Sequence, residues 1–241
     1  MSRIALITGG NRGLGRATAL ALIDAGIEVI YTHRGDPGEK IDAVALPLVV
    51  GDLDSYGDFE ASLRQVLADR HGRADFDFLI NNAGVGRAGT IAGTPVEAFD
   101  ELLDVHFRGV FFLTQRLLPL IADGGRIVNL STGLTRFTGE GMYAAYASMK
   151  GAVEVFTRYL AKEVGPRGIT ANVVAPGPVA TEFGGGYLRD DEGVRAQIGG
   201  LTAMGRVGEP ADVSGVIAAL VGPGTGWVTG QRIEASGGML L

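Results

Sequence analysis

Short apolar runs alternate with longer helical patterns along the whole of this 241-residue chain. Seven runs rich in Val, Ile and Leu predict strands, and most are apolar at nearly every position, which is typical of strands buried on both faces. Alternating strands and helices predict a right-handed parallel sheet with helices on both faces, and therefore the α/β class. Strands are predicted at residues 4–8, 28–32, 45–50, 76–81, 126–130, 170–175 and 231–235. Helices are predicted at residues 13–25, 56–71, 95–122, 144–164 and 210–221.

The composition indicates one folded domain over residues 1–241. Hydrophobic residues make up 46% of the chain and charged residues 20%, which is enough apolar surface for a core and too few charges for disorder. The net charge of −6, without a basic stripe, argues against a nucleic-acid ligand. Because the chain has no cysteine, disulfides, thiolate metal sites and cysteine nucleophiles are excluded, and no metal site is predicted.

The N-terminal residues lead directly from the first predicted strand into a glycine turn and show no signal peptide. No apolar stretch approaches the roughly 20 residues that cross a bilayer. We therefore expect a cytoplasmic protein without a membrane partner.

A glycine-rich turn between the first predicted strand and the first helix indicates a dinucleotide site. It reads TGGNRGLG over residues 8–15, with the spacing GxxxGxG. Glycine allows close backbone approach, and a helix N-terminus offers free N–H groups to a pyrophosphate. An ordinary turn is the alternative, since the chain has 39 glycines. The residues expected to line the dinucleotide are Gly9, Asn11, Arg12, Gly13, Leu14 and Gly15.

The end of the second predicted strand favours NADP(H) over NAD(H). An acid there would bind the ribose 2′-hydroxyl of NAD, but the chain has none until Asp36. Arg12 and Arg34 are instead placed to bind a 2′-phosphate. NAD(H) remains the alternative, because both arginines could be solvated loop residues.

Tyr146 and Lys150 form the clearest chemical signal in the sequence. In a helix over 144–164, side chains at i and i+4 lie on one face, which brings the ammonium of Lys150 beside the phenol of Tyr146. A nearby cation favours the phenolate and lowers a tyrosine pKa of about 10 toward neutrality. Tyr146 is therefore predicted to act as a general acid or base.

Four motifs together resemble the short-chain dehydrogenase/reductase family. They are the turn at 8–15, NNAG at 81–84, Tyr146-xxx-Lys150 and APGP at 175–178, in the order and approximate spacing of that family. The resemblance covers essentially the whole chain. It implies a single Rossmann-like domain with a doubly wound sheet of about seven parallel strands, NAD(P)-dependent hydride transfer and, commonly, a tetramer.

The resemblance also implies roles for individual residues. Tyr146 would protonate the substrate oxygen, while Lys150 would lower the pKa of Tyr146 and bind the nicotinamide ribose. Asp52 resembles the family's adenine-contacting aspartate, although it could equally cap a helix. Thr181 could also be a helix cap, and the asparagines at 81 and 82 could tie strand ends together. Further cofactor contacts are expected at Leu53, Asn82, Ala83, Gly84, Pro176, Gly177, Val179 and Thr181.

The position of the family's catalytic serine is altered. The usual Ser-Ser pair reads Ser131-Thr132 here, and a threonine hydroxyl can still bind a developing oxyanion. Because the segment up to Tyr146 is slightly longer than the commonest family spacing, Ser131 or Thr135 could supply the hydroxyl instead. Thr132 is favoured.

His106 stands where the family typically has an asparagine that holds a water between the lysine and solvent. Imidazole can donate, accept and titrate near neutral pH, so His106 could replace this relay and make turnover sensitive to pH. The alternative is a histidine that only packs and binds a helix carbonyl.

Residues 183–210 are predicted to form a substrate lid, because glycines there accompany a weak helical pattern. The charges of this segment suggest no clamp for a carboxylate or phosphate, so the substrate is not specified. Arg126 and Arg167 could receive an acidic carrier protein, as in the related ketoacyl reductases. The substrate would then be an acyl thioester.

The sequence thus predicts an NADP(H)-dependent oxidoreductase that reduces a ketone or ketoacyl group of a small molecule to an alcohol. The alternative is a catalytically lapsed, dinucleotide-binding regulatory or scaffold protein. Apolar helix faces at 105–118 and 144–164, together with the apolar residues 237–241, predict a homotetramer or homodimer.

Overall fold

A seven-stranded parallel sheet forms the centre of the computed structural model, which describes residues 2–138 and 141–241. The strands are β1 (Ile4–Ile7), β2 (Glu28–His33), β3 (Val44–Pro47), β4 (Phe76–Asn81), β5 (Ile121–Leu130), β6 (Thr170–Pro176) and β7 (Arg232–Ala235). Their order across the sheet is β3-β2-β1-β4-β5-β6-β7, so the winding reverses between β1 and β4, as in a Rossmann-like sheet. The predicted fold class is confirmed.

Helices cover both faces of this sheet. They are α1 (Gly13–Asp24), α2 (Tyr56–His71), α3 (Val96–Leu103), α4 (Gly109–Leu117), α5 (Ala144–Val164), α6 (Tyr187–Asp190), α7 (Glu192–Gly199) and α8 (Pro210–Val221). Alternation along β1 separates two cores: Ile4 packs with α2, α4 and α5, whereas Ala5 packs with α1 and α8. Over residues 2–138 and 141–241, no helix combines the length and the apolarity that a membrane span requires.

The predicted helix at 95–122 is not continuous. The structure divides it into α3, a π-helical segment Asp104–Arg108, α4 and a 3-10 turn Leu118–Leu120. Gly109 explains the wide turn, because its amide donates to the Asp104 carbonyl five residues back and it lies too close to another backbone carbonyl for any side chain to fit. Pro119 lacks the N–H that a helix needs, so the helix ends before β5 begins.

Two strand boundaries also differ from the prediction. β5 begins at Ile121, well before the predicted start at residue 126, because Ile121 still pairs with Phe76 of β4 on the far side of a bulge around Gly124 (φ +76°). β3 ends at Pro47 rather than at residue 50. It is an edge strand, and its neighbour β2 ends at His33, so there is no ladder left to extend.

Asp77 joins the amino-terminal ends of β1 and β4. Its buried carboxylate accepts hydrogen bonds from the Ile4 amide at 2.9 Å and from the guanidinium groups of Arg3 and Arg73, each at 2.8 Å. Burial raises the pKa of Asp77, but the bonds from Arg73, Ile4 and Arg3 outweigh it and hold the pKa below its ordinary value. The ionised carboxylate therefore stabilises the fold.

We expect Asp77→Asn to lower the free energy of unfolding at pH 7 by about 3 kcal/mol. The guanidinium of Arg73 would then be shielded from water without the negative charge that now balances it. Urea unfolding measures this. The folded-state pKa is depressed, so the carboxylate stabilises the protein above the unfolded-state pKa of about 4, and the deficit shrinks as pH falls below that value. Asp75→Asn is the control, since this more exposed carboxylate also pairs with Arg73 and should cost less than about 1 kcal/mol. Equal losses in the two variants would contradict the prediction.

Candidate active site

The motifs singled out in the sequence meet at the carboxyl edge of the sheet. β1 leads into the glycine turn at 8–15, β4 into the NNAG segment at 81–84, and β5 into Ser131 and Thr132. Helix α5 carries Tyr146 and Lys150 against the end of β5. Parallel sheets bind their ligands at this edge, beside the point where the winding reverses.

Close backbone contacts explain the glycines of the turn. Gly9 has a φ of +65°, and a Cβ on Gly15 would overlap the Gly9 carbonyl oxygen. Helix α1 starts at Gly13 (φ +51°) and Leu14, and the side chain of its N-cap residue, Arg12, makes no capping hydrogen bond. The first amides of α1 are therefore available to an anion, as a pyrophosphate site requires.

Asn81 and Asn82 tie strand ends together. Asn82 donates its two amide hydrogens to the carbonyl oxygens of Thr8 and Gly9, at 2.9 and 3.0 Å. Asn81 is buried and donates to Asn129 Oδ1 at 2.8 Å. Both side chains therefore tie strand ends together, as the alternative to ligand binding predicted. The side-chain amide of Asn82 keeps only its oxygen for a ligand.

Two exposed arginines lie on adjoining segments beside the turn. Asn11 links these segments by donating to the Asp36 carbonyl at 3.0 Å. In the described part of the chain, neither Arg12 nor Arg34 forms an ion pair. The Asp36 carboxylate accepts from the Gly38 amide at 2.9 Å, within its own loop. The local charge therefore suits a phosphate better than a ribose hydroxyl.

Asp52 caps a helix, which was the alternative to its predicted contact with adenine. Its Oδ1 accepts from the Asp54 amide at 3.1 Å, at the start of the 3-10 helix Leu53–Ser55. The carboxylate is exposed. Its contact with adenine, and that of Leu53, remain predictions.

The loop after β6 approaches the start of α1. A Cβ on Gly13 would lie 3.6 Å from the Thr181 Cβ, and Thr181 Oγ1 accepts from the Phe183 amide at 3.3 Å. Gly177 packs on Ser236 so closely that no side chain fits there. This loop, which also contains Pro176 and Val179, therefore lies next to the glycine turn.

The electrostatics of Tyr146 and Lys150 differ from the prediction. Lys150 is buried, its Nζ donates to the Leu130 carbonyl at 2.7 Å, and burial lowers its pKa to about 7. The Nζ lies 6.0 Å from the centre of the Tyr146 ring. Burial raises the pKa of Tyr146 above its ordinary value, against a smaller lowering by a hydrogen bond with Thr132. The expected lowering by Lys150 is therefore wrong for this structure, in which the phenol stays protonated.

The three candidate hydroxyl groups have different partners. Ser131 Oγ and Thr135 Oγ1 donate to the same carboxylate oxygen of Glu154, at 2.6 and 2.7 Å. Thr132 Oγ1 accepts from the Leu134 amide at 3.3 Å, and its hydroxyl lies near enough to the phenol of Tyr146 to lower the pKa of that phenol. Of the three, Thr132 is the hydroxyl that faces the tyrosine.

His106 is fully buried in the π-helical segment. Its ring packs edge-on against Tyr146, with centroids 5.0 Å apart, and its Nε2 lies 2.7 Å from the Val85 carbonyl. A Cβ on Gly84 would lie 2.9 Å from His106 Cε1. Burial and the charge of Lys150 lower the pKa of His106 to about 3, against a raising by the Val85 bond. The expectation that it titrates near neutral pH is therefore wrong, although a neutral relay stays a prediction, since Nδ1 has no partner among the described residues.

Residues beside the site were also missed. Glu154 follows Lys150 by four positions, so the same helical spacing that selected Tyr146 and Lys150 could have found it. Phe183 and Tyr143 lie with their ring centroids 5.7 and 6.3 Å from that of Tyr146. The contact of Phe183 joins distant segments, which a single sequence does not indicate, whereas Tyr143 lies only three positions before Tyr146 and could have been found from that spacing.

Arg126 and Arg167 are not at this site. Arg126 donates to the carbonyls of Gly124 and Gly125, and Arg167 donates to the Leu118 carbonyl at 2.9 Å. Both lie toward the amino-terminal ends of β5 and β6, the edge opposite Tyr146. The structure therefore gives no support to their proposed role in docking a carrier protein that feeds the site.

Known proteins are similar to this protein over nearly the whole chain. A family model described as enoyl-(acyl carrier protein) reductase matches residues 9–240. Versicolorin reductase 1 of Aspergillus parasiticus is 32% identical, over 98% of this chain and 95% of its own length.

Two solved structures share the fold. The promiscuous reductase LugOII, which catalyses keto-reduction at C1 during lugdunomycin biosynthesis, is 34% identical, with a TM-score of 0.90 over 99% of this chain and 98% of that chain. The angucycline C-6 ketoreductase LanV with bound NADP is also 34% identical, with a TM-score of 0.89 over 99% of this chain and 95% of that chain.

The burial of His106 predicts a pH-dependent loss of stability. The folded state holds the imidazole neutral down to a pKa of about 3, whereas the unfolded chain binds a proton below about 6.5. Stability should therefore fall by about 2 kcal/mol between pH 7 and pH 5, and His106→Asn should remove that part of the fall. Urea unfolding at the two pH values measures it. With His33→Asn as the control, an unchanged pH dependence in His106→Asn would contradict the prediction.

Proposed function

Because the chain belongs to the short-chain dehydrogenase/reductase family, we propose that it is an NADP(H)-dependent oxidoreductase that reduces a ketone or ketoacyl group to an alcohol. The family resemblance stated from the sequence is confirmed. The observation that carries the proposal is the meeting of Tyr146, Thr132 and Lys150 beside an uncapped glycine turn. These residues offer a proton, a hydrogen-bond donor and a cation next to a dinucleotide site.

The residues of this chain would handle the substrate oxygen. Tyr146, whose buried phenol stays protonated at neutral pH, donates a proton to the alkoxide formed on the substrate. Thr132 donates a hydrogen bond to the same oxygen and stabilises its developing charge. Lys150, with a pKa of about 7, can return a proton to the tyrosine. The dinucleotide, when bound, supplies the hydride.

The residues present fit the pyrophosphate and the 2′-phosphate of NADP(H). Side chains at Gly10 and Gly15 would overlap neighbouring atoms, so the turn stays compact, and the N-cap side chain leaves the first amides of α1 uncapped. Arg12 and Arg34, which form no ion pair within residues 2–138 and 141–241, supply positive charge on the adenosine side. LanV, a structural neighbour, was solved with NADP bound. NAD(H) is the second choice.

We propose a carbonyl on a bulky, ring-bearing frame as the substrate. Phe183 lies over Tyr146 and Tyr143 beside it, so the carbonyl would enter between aromatic surfaces. The relatives include a versicolorin reductase and an angucycline ketoreductase. Residues 183–210 would act as the lid within this single domain, with Phe183 at its start. An acyl thioester is the second candidate.

Self-association is part of the proposal. Apolar side chains are exposed on α4 and α5, at Phe112, Val155 and Tyr159, and near the end of the chain at Leu241. Faces of this kind are typical of subunit contacts. We propose a homodimer or homotetramer.

We expect purified protein to oxidise NADPH in the presence of cyclic aromatic ketones, and Tyr146→Phe to lower kcat by about 10³-fold, because the proton donor is lost. A panel of ring ketones, diketones and β-ketoacyl thioesters, assayed with NADPH and NADH in parallel, measures it. Tyr159→Phe removes an exposed hydroxyl from the same helix and is the control. Tight NADPH binding without turnover on any carbonyl would instead support the regulatory or scaffold alternative.

We expect Arg34→Gln to raise KM for NADPH by about tenfold while leaving KM for NADH within about twofold, since a charge-assisted bond to phosphate contributes roughly 1.5 kcal/mol. Arg12→Gln should act in the same direction. Arg70→Gln, an exposed arginine at the end of α2, is the matched control. Equal changes for the two cofactors would rule out a 2′-phosphate contact.

A further inference from the structure

A single carboxylate gathers the hydroxyl groups that flank Thr132. Glu154 Oε1 accepts from Ser131 Oγ at 2.6 Å, from Thr135 Oγ1 at 2.7 Å and from Arg232 Nε at 2.8 Å. Its side chain is only 14% exposed. Charge-assisted bonds in such a place are strong and hold their donors in fixed rotamers.

Arg232 completes the arrangement from β7. Its Nη2 donates to the Thr132 carbonyl at 3.2 Å and to Thr135 Oγ1 at 3.1 Å, while Nη1 pairs with Glu234 at 2.9 Å. The guanidinium of Arg232 therefore holds the backbone of Thr132. The carboxylate of Glu154, which binds the same guanidinium, holds the side chains of Ser131 and Thr135 before and after it.

We propose that Glu154 and Arg232 are positioning residues that orient the hydroxyl of Thr132 toward Tyr146. This inference rests on the proposed function, because it concerns the group that binds the substrate oxygen there. The pair acts in two ways. It occupies the hydroxyls of Ser131 and Thr135, which would otherwise compete for the phenol, and it fixes the peptide that carries Thr132.

The chemistry of the strand end explains why such a device is needed. Three hydroxyl-bearing residues occur within five positions, from Ser131 to Thr135, and any of them can donate to an oxyanion. A carboxylate accepts only, so it turns the hydrogens of two of them away from the substrate side. The reaction then uses one defined donor, whose placement matters because catalytic geometry tolerates errors of only about 0.5 Å.

A double-mutant cycle tests the inference. Glu154→Ala should lower kcat by about 10- to 100-fold with KM for NADPH unchanged, as should Thr132→Val. If Glu154 acts through Thr132, adding Glu154→Ala to Thr132→Val should cost less than about twofold more. Glu154→Gln should lie between the wild type and the alanine variant, since its amide oxygen still accepts from both hydroxyls. Losses that multiply in the double variant, or no loss in Glu154→Ala, would overturn the inference.

Glu60→Ala is the matched control for removal of a carboxylate. The side chain of Glu60 is similarly shielded, at 18% exposed, and binds Arg64 and Arg116 on α2 and α4, so its loss should change kcat by less than about twofold.

A second measurement does not depend on turnover. The methyl NMR signal of Thr132, identified by its loss in Thr132→Val, should shift in Glu154→Ala and in Arg232→Gln but not in Glu60→Ala. An unshifted signal overturns the positioning role whatever the activity. A different result would contradict the proposed function, namely a wild-type protein that oxidises NADPH with no carbonyl of the panel.

Discussion

A buried chain of side-chain hydrogen bonds joins the adjacent strands β4 and β5 to the helix that carries Tyr146 and Lys150, and the candidate site depends on it. Asn81 of β4 donates to Asn129 of β5 at 2.8 Å, and Asn129 donates to Thr157 of α5 at 2.9 Å. Because all three are buried, losing one partner would leave an unsatisfied group at a cost of about 1–3 kcal/mol. The chain holds α5 in one register against β5, which brings the Leu130 carbonyl to Lys150.

Burial dominates the electrostatics around Tyr146. The same exclusion of water raises the pKa of Tyr146 and lowers the pKa of Lys150 to about 7 and of His106 to about 3. At neutral pH the phenol and the imidazole are uncharged and the amine is close to half protonated. Because water is excluded from these surroundings, charges there are poorly screened. A charge on a ligand would therefore shift the pKa values of these groups strongly.

Local patterns predicted the fold and the placement of Tyr146 beside Lys150 in the candidate site, but they did not predict features that depend on packing between distant segments. Apolar runs marked the seven strands, and the i, i+4 spacing placed Tyr146 and Lys150 on one helix face. The π-helical segment escaped because it depends on how closely Gly109 approaches the chain after β3. The pKa of Tyr146 was predicted in the wrong direction, since the depth of its burial is set by other elements. The bonds of Glu154 likewise join three distant segments.

The glycine segment at the start of the proposed lid constrains how the site can diversify. Gly184, Gly185 and Gly186 all have positive φ, between +67° and +96°, where other residues are strained by about 1 kcal/mol or more each. Replacing any of these three glycines by another residue would therefore destabilise the folded segment. The flanking positions, Phe183 and Tyr187, lie outside that restriction and are each 43% exposed. These two side chains can therefore vary without straining the backbone that carries them.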